Sequence, residues 1–312
     1  MSNKEGRVIE LRNAVIRFAG DSGDGMQLTG SLFSDSTAIV GNDFATFPDY
    51  PAEIRAPQGT VSGVSGFQIH FGDMDIHTSG DKADVLVAMN PASLKANMNW
   101  ITREATIIVD TDAFVEKNFK KAGYENNPLT DGSLAGHLVV EAPITALTKE
   151  AVKDLQLDNK SAQKSKNMFA LGMVFYMFNR GYEGTFEFFE LKFKANPLVV
   201  EANKKVLLAG YHFANTIEAF ANTYKIEPAP LEKGLYRNVT GNLATSWGFL
   251  AAAERSGRDL FLGSYPITPA SEILQEISKY KQFSAIAFQA EDEIAGIVSA
   301  IGASYAGSLA IT

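Results

Sequence analysis

Two prolines, Pro266 and Pro269, interrupt the chain between a pair of short apolar runs. Asp259-Leu260-Phe261-Leu262-Gly263 has the composition of a buried strand, and Ser264-Tyr265-Pro266-Ile267-Thr268-Pro269 cannot continue it. Each proline lacks an N–H and restrains the residue before it, so the strand must end and the chain must turn. Pro269 suits the first turn of a helix, and Glu272 adds an acid where the helix dipole favours one. Ser284 to Phe288 repeats the apolar run as a second strand. Glu291, Asp292 and Glu293 then open a helix in which Ile294, Ile297, Val298 and Ile301 recur at helical spacing. This order places Thr268 and Glu291 just beyond two strand ends, where a polar cradle can form. A βαβ unit with proline-marked loops and no chemistry satisfies the same pattern.

Cysteine is absent from all 312 residues, which removes disulfides, thiol catalysis and cysteine-ligated iron–sulfur clusters together. If electrons pass through a cluster, another chain holds it. His70, His77, His137 and His212 lack metal-motif spacing, so no metal site is expected. A formal net charge of -8, without a basic block, argues against nucleic acid or an anionic membrane as partner. The N-terminal residues do not resemble a signal peptide and no run is long enough to span a bilayer. A cytoplasmic location is expected.

Ala14 to Ala19 predicts a strand, and Gly20-Asp21-Ser22-Gly23-Asp24-Gly25 turns it into a helix near Met26. Gly20, Gly23 and Gly25 would let a ligand approach the backbone, and a helix N-terminus offers N–H groups to an anion. Asp21 and Asp24 oppose a phosphate there, and a tight strand-to-helix turn is an equal reading. Phe47 to Gly59 is a proline-punctuated loop in which Arg55 could hold a phosphate or carboxylate, or pair with Glu53 or Asp49. Ser65–Phe71, Ala83–Met89 and Ala105–Asp110 read as further strands. Alternation of strands with helices predicts a parallel sheet. Ser161 to Tyr182 predicts an apolar helix with its methionines in the core, and Asn196-Pro197 starts another. Ile226 to Gly234 breaks the periodicity as an interdomain linker.

Tyr265-Pro266-Ile267-Thr268-Pro269, followed by Gln289-Ala290-Glu291 and a small-residue helix ending Gly302 to Gly307, resembles the pyrimidine-binding domain of the alpha subunit of 2-oxoacid:ferredoxin oxidoreductases. Gly241-Asn242-Leu243-Ala244 resembles the start of that domain, and the strand and glycine-rich turn at 14–25 resemble the family's gamma domain. Ser22-Gly23-Asp24-Gly25 stands where many relatives carry Gly-Gly-Gln, which leaves a ligand role for this loop open. The resemblance implies an α/β protein with a gamma-type domain over 1–225, a linker at 226–237, and an incomplete doubly wound pyrimidine-binding domain over 238–312. Family alpha subunits of this fused type run longer, so a truncated chain is expected, without the arginine that helps hold the substrate carboxylate.

The implied reaction is oxidative decarboxylation of a 2-oxo acid with coenzyme A to acyl-CoA, carbon dioxide and reduced ferredoxin. The gamma-then-alpha order suggests 2-oxoglutarate. The implied cofactor is thiamine diphosphate, shared with a beta subunit that would hold magnesium and an iron–sulfur cluster. An (αβ)2 hetero-oligomer is implied, with this chain inactive alone. By the resemblance, Glu291 hydrogen-bonds the pyrimidine ring nitrogen, and an apolar cleft around it would disfavour its ionised form. Thr268 faces the substrate's carboxylate or carbonyl, and Tyr265, Pro266 and Ile267 line the cofactor pocket. A nucleotide-binding dehydrogenase and a noncatalytic assembly subunit are the competing readings.

Overall fold

The computed structural model describes residues 7–51, 56–216 and 222–312, which form two compact units, Met1–Lys233 and Gly234–Thr312. Among the described residues no helix is long and apolar enough to cross a membrane.

The first unit is built on a six-stranded sheet. Its strands are β2 (Asn13–Asp21), β3 (Asp43–Asp49), β4 (Val64–Gly72), β5 (Ala83–Ala88), β6 (Ile101–Asp110) and β7 (Leu138–Ala142), in the order β3-β4-β2-β5-β6-β7. The last four in that order run parallel, but β4 is antiparallel to both β2 and β3. The sheet is parallel over β2, β5, β6 and β7, as expected, and antiparallel only where β4 pairs. Phe47-Pro48-Asp49, expected in a loop, ends β3 at the sheet edge, where a residue without an N–H costs no ladder bond. Arg55 and Glu53 lie outside the described residues.

Alternate residues of each strand face opposite sides, and both sides are buried. Ile16, Phe18, Val85 and Val87 belong to one apolar cluster with Phe33, Phe169 and Phe175, while Val15, Ala19, Leu86 and Ala88 belong to another with Leu94, Ile107 and Val109. The first side is covered by α1 (Met26–Val40), by α6 (Lys166–Met177) and by α8 (Pro197–Thr216), and the second by α2 (Pro91–Asn97) and α3 (Glu116–Ala122). The long helix expected over Ser161–Tyr182 is two, with α5 (Asn159–Gln163) ending ahead of α6. Met168, Met173 and Met177 are core residues, as expected.

Helices α6 and α8 pack backbone to backbone. A Cβ on Gly172 would lie 2.1 Å from the Leu207 carbonyl oxygen, and one on Gly210 would lie 2.0 Å from that of Phe169. A separate parallel pair joins β1 (Arg7–Glu10) to β8 (Asn222–Lys225). The chain after β8 is anchored on this unit: Ile226 and Ala229 are buried, the Ala229 N–H donates to the Gly41 carbonyl at 2.9 Å, and the Asn42 amide donates to the Glu227 carbonyl at 2.6 Å.

The second unit opens with α9 (Gly241–Ser256), capped by the Thr240 hydroxyl, which accepts from the Leu243 N–H at 3.2 Å. Its strands β9 (Leu260–Ser264), β10 (Ala285–Gln289) and β11 (Leu309–Ile311) form a parallel sheet in the order β10-β9-β11. The connections are α10 (Ser271–Ile277) and α11 (Glu293–Tyr305). Leu250 and Ala253 of α9 pack with Leu274 and Ile277 of α10 over Leu260 and Leu262. Gly263 faces the other way, and a Cβ there would meet the Gly296 carbonyl oxygen of α11 at 2.7 Å. Helix α11 thus approaches the sheet through its small residues, Gly296 and Ala300, and leaves Ile294, Ile297, Val298 and Ile301 exposed.

Candidate active site

The order β10-β9-β11 creates a switch point. The connection leaving β9 goes to β10 on one side, and the connection leaving β10 passes back over β9 to β11. With right-handed crossovers these two helices lie on opposite faces of the sheet, so the loops leaving adjacent strands diverge. The gap between them, beyond the carboxyl ends of β9 and β10, is where open α/β sheets bind ligands.

Strand register brings the two sequence motifs to that gap. Gln289 is paired with Ser264, and the Ala290 N–H donates to the Ser264 carbonyl at 2.8 Å. Tyr265 is the next residue on one strand and Glu291 the next on the other. Tyr265 is half-buried, while Pro266, Ile267 and Thr268 are exposed around the turn before α10. The Thr268–Pro269 peptide is cis, and Ser271 N–H donates to the Ile267 carbonyl at 2.9 Å. Pro269 lies in this turn rather than in the helix, which begins at Ser271.

The acidic run 291–293 divides its work. Asp292 caps α11 by accepting from the Ala295 N–H at 2.7 Å, and Glu293 lies in the first turn, where the helix dipole favours a carboxylate. Glu291 is left at the strand end without an ion pair or hydrogen bond to another described residue. It is exposed, as are Phe288, Gln289 and Asp292 beside it, so the apolar enclosure expected around this carboxyl is not supplied by these neighbours.

Asn242 was legible only as part of a short motif, and the structure adds a contact. Its side-chain amide donates to the Pro269 carbonyl at 3.1 Å and to Glu272 Oε2 at 3.0 Å. No pattern in the sequence joins positions 27 and 30 residues apart.

In the first unit, Gly20, Gly23 and Gly25 share one turn, with Gly23 and Gly25 at positive φ. The turn is filled by the protein itself. Asp24 Oδ2 accepts from the Asp21 N–H at 3.0 Å, and a Cβ on Gly20 would touch it. Lys166 pairs with Asp24 at 2.9 Å, the Asn167 amide donates to the Gly25 carbonyl at 3.2 Å, and Asp21 accepts from the Gly59 N–H at 3.0 Å. Burial, together with the nearby Asp24 charge, raises the Asp21 carboxyl above its ordinary range. Among the described residues no group of three or more His, Cys, Asp or Glu side chains is placed to share a metal ion.

Residues 15–213 match the family described as pyruvate ferredoxin/flavodoxin oxidoreductase, a match over most of the chain. The chain belongs to that family. Residues 253–312, which carry the β9–β10 crevice, match the family's thiamine diphosphate-binding region, described as pyruvate flavodoxin/ferredoxin oxidoreductase, thiamine diP-bdg. The 2-oxoglutarate oxidoreductase subunit KorA of Mycobacterium tuberculosis is 51% identical over 302 residues, covering 97% of this chain and 46% of that protein. Subunit alpha of 2-oxoacid:ferredoxin oxidoreductase 1 from Aeropyrum pernix is 23% identical over 96% of this chain and 50% of its own length. Among solved structures, the 2-oxoglutarate:ferredoxin oxidoreductase of Magnetococcus marinus, with 2-oxoglutarate, coenzyme A and succinyl-CoA bound, superposes with a TM-score of 0.69 at 25% identity. That match covers 96% of this chain and 46% of the other. The chain spans about half the length of these relatives.

Proposed function

We propose that this chain is the alpha subunit of a 2-oxoacid:ferredoxin oxidoreductase that acts on 2-oxoglutarate. With coenzyme A it would yield acyl-CoA, carbon dioxide and reduced ferredoxin. The observation that carries the reading is the emergence of Tyr265-Pro266-Ile267-Thr268-Pro269 and Glu291 from adjacent parallel strands, within the part of the chain that matches a thiamine diphosphate-binding region. The 51% identical relative named for 2-oxoglutarate supports the substrate.

The residues fit the pyrimidine end of that cofactor. A carboxyl with no partner among the described residues stands at a switch-point crevice, able to accept or donate one hydrogen bond at a ring nitrogen. When bound, thiamine diphosphate supplies the nucleophilic carbon and the electron sink for decarboxylation. Glu291 would hold the shared proton at the ring nitrogen. The Thr268 hydroxyl would donate to the carboxylate or carbonyl of the 2-oxo acid and so fix its orientation. Tyr265, Pro266 and Ile267 would form the wall beside the ring.

The beta subunit would hold the diphosphate, its magnesium and the iron–sulfur cluster, since this chain has no cysteine to ligate one. The assembly would be (αβ)2 and would pass electrons one at a time to ferredoxin, and this chain alone would be inactive. A dehydrogenase reading is disfavoured because Asp24 and Asn167 fill the Gly20–Gly25 turn that would have to admit a nucleotide phosphate.

The test is coenzyme A-dependent reduction of ferredoxin by the full-length alpha chain co-purified with its beta partner, thiamine diphosphate and magnesium. Pyruvate, 2-oxoglutarate and indolepyruvate are compared side by side. Turnover with 2-oxoglutarate above the other two is expected. Absence of turnover from an intact, cluster-loaded complex would favour a noncatalytic assembly role.

A further inference from the structure

We infer that Asn242 is a positioning residue for Thr268, acting through the carbonyl of Pro269. Its two amide hydrogens go to two groups that can only accept, the Pro269 carbonyl oxygen at 3.1 Å and Glu272 Oε2 at 3.0 Å, so the amide's orientation is set by its partners. The turn 268–270 precedes α10. Pro269 has no N–H, so its backbone can be anchored only through its carbonyl, and that carbonyl accepts from Asn242. On the far side the turn is braced by the Ser271 N–H donating to Ile267 at 2.9 Å.

The anchor itself is fixed. Asn242 sits in the first turn of α9, behind the Thr240 cap; the Ser246 hydroxyl donates to its carbonyl at 2.8 Å. Farther along α9, the Trp247 indole N–H donates to the Tyr280 hydroxyl at 3.2 Å, and Leu250 and Ala253 pack over the sheet. The turn that carries Thr268 is therefore tied to a packed helix through the Asn242 side chain, and Glu272 keeps that side chain aimed. A residue that served only the helix terminus would be replaceable by aspartate, which the helix dipole favours at this end. The clamp is not, because it needs a donor.

This inference rests on the role proposed for Thr268, and the experiment separates the two. In the assembled enzyme, Asn242→Ala and Asn242→Asp are expected to raise KM for the 2-oxo acid about tenfold while kcat stays within about twofold, as loss of uniform binding requires. The KM for coenzyme A should not move. Combining Asn242→Asp with Glu272→Gln rebuilds the contact between positions 242 and 272 but gives the Pro269 carbonyl no donor, so the lost affinity should stay lost. Unchanged KM in both single variants of an active enzyme overturns the inference, as does a uniform rise in every KM or recovery in the double variant. Hydrogen exchange of the Ser271 amide gives a readout independent of turnover. Faster exchange in Asn242→Ala, with the α9 amides unaltered, supports the clamp, and unaltered exchange overturns it even where no 2-oxo acid is turned over.

Discussion

Ala290 donates its N–H to the Ser264 carbonyl across 2.8 Å, and this single bond sets the last rung at which β9 and β10 run together. One residue later the strands part, Tyr265 toward one face and Glu291 toward the helix on the other. Parallel pairing thus converts two motifs separated by twenty-odd residues of sequence into one crevice.

Thr268→Ala removes a single hydroxyl from an exposed turn and should leave the fold intact. In the assembled enzyme we expect KM for the 2-oxo acid to rise about tenfold to a hundredfold, the size of one hydrogen bond to a charged group. Steady-state kinetics against the acid and coenzyme A in turn checks this. An effect confined to coenzyme A would contradict the placement.

The α6–α8 contact admits no side chain. Gly172→Ala or Gly210→Ala drives a methyl onto a carbonyl at about van der Waals overlap, because the neighbouring atoms are backbone and cannot swing aside. Each should cost about 3 kcal/mol, the upper end of ordinary overpacking, measured by denaturant unfolding.

Arg180 is buried between Phe33 and Phe71, and Asn42 Oδ1 accepts from its Nη2 at 2.6 Å. Burial lowers its guanidinium to about 10, so at neutral pH it stays protonated and the buried charge costs the fold stability. The stability this group contributes is present above its unfolded value, and it is lost as pH falls through about 10. Asn42→Ala removes the acceptor and also frees the Glu227 carbonyl; about 2–3 kcal/mol of destabilisation is expected at pH 7.

Asp110 is fully buried at the end of β6, and burial raises its carboxyl although the Thr145 N–H and hydroxyl oppose the shift. A raised folded value means a contribution that is complete below about pH 4 and is lost as pH rises through the folded value. Asp110→Asn should remove that slope: unfolding free energy between pH 4 and pH 7 would fall less steeply in the variant than in the parent. Parallel curves would contradict the assignment.

Much of the site was readable from residue order. Pro266 and Pro269 had to end β9 because proline lacks an N–H, and the acids 291–293 marked the start of the helix after β10. Strand direction was not readable. Apolar alternation in Val64–Gly72 is the same whichever way the strand runs, so the antiparallel β4 stayed hidden, and with it the place of Pro48 at a sheet edge. The helical spacing of Ile294, Ile297, Val298 and Ile301 marked the helix but not the face it packs, and α11 packs through Gly296 and Ala300 because only small residues allow so close an approach to Gly263. Likewise the acids of the Gly20–Gly25 turn looked like obstacles to a ligand, whereas Asp24 is what holds the turn closed.

The most direct test of the account is Glu291→Gln in the assembled enzyme, measured as 2-oxoglutarate-dependent ferredoxin reduction beside the parent at matched subunit content. A glutamine cannot share a proton with the ring nitrogen, so turnover should fall by at least about a hundredfold, as for loss of a general acid–base group, while the complex still assembles. Turnover equal to the parent's would remove Glu291 from the reaction and the crevice from its role.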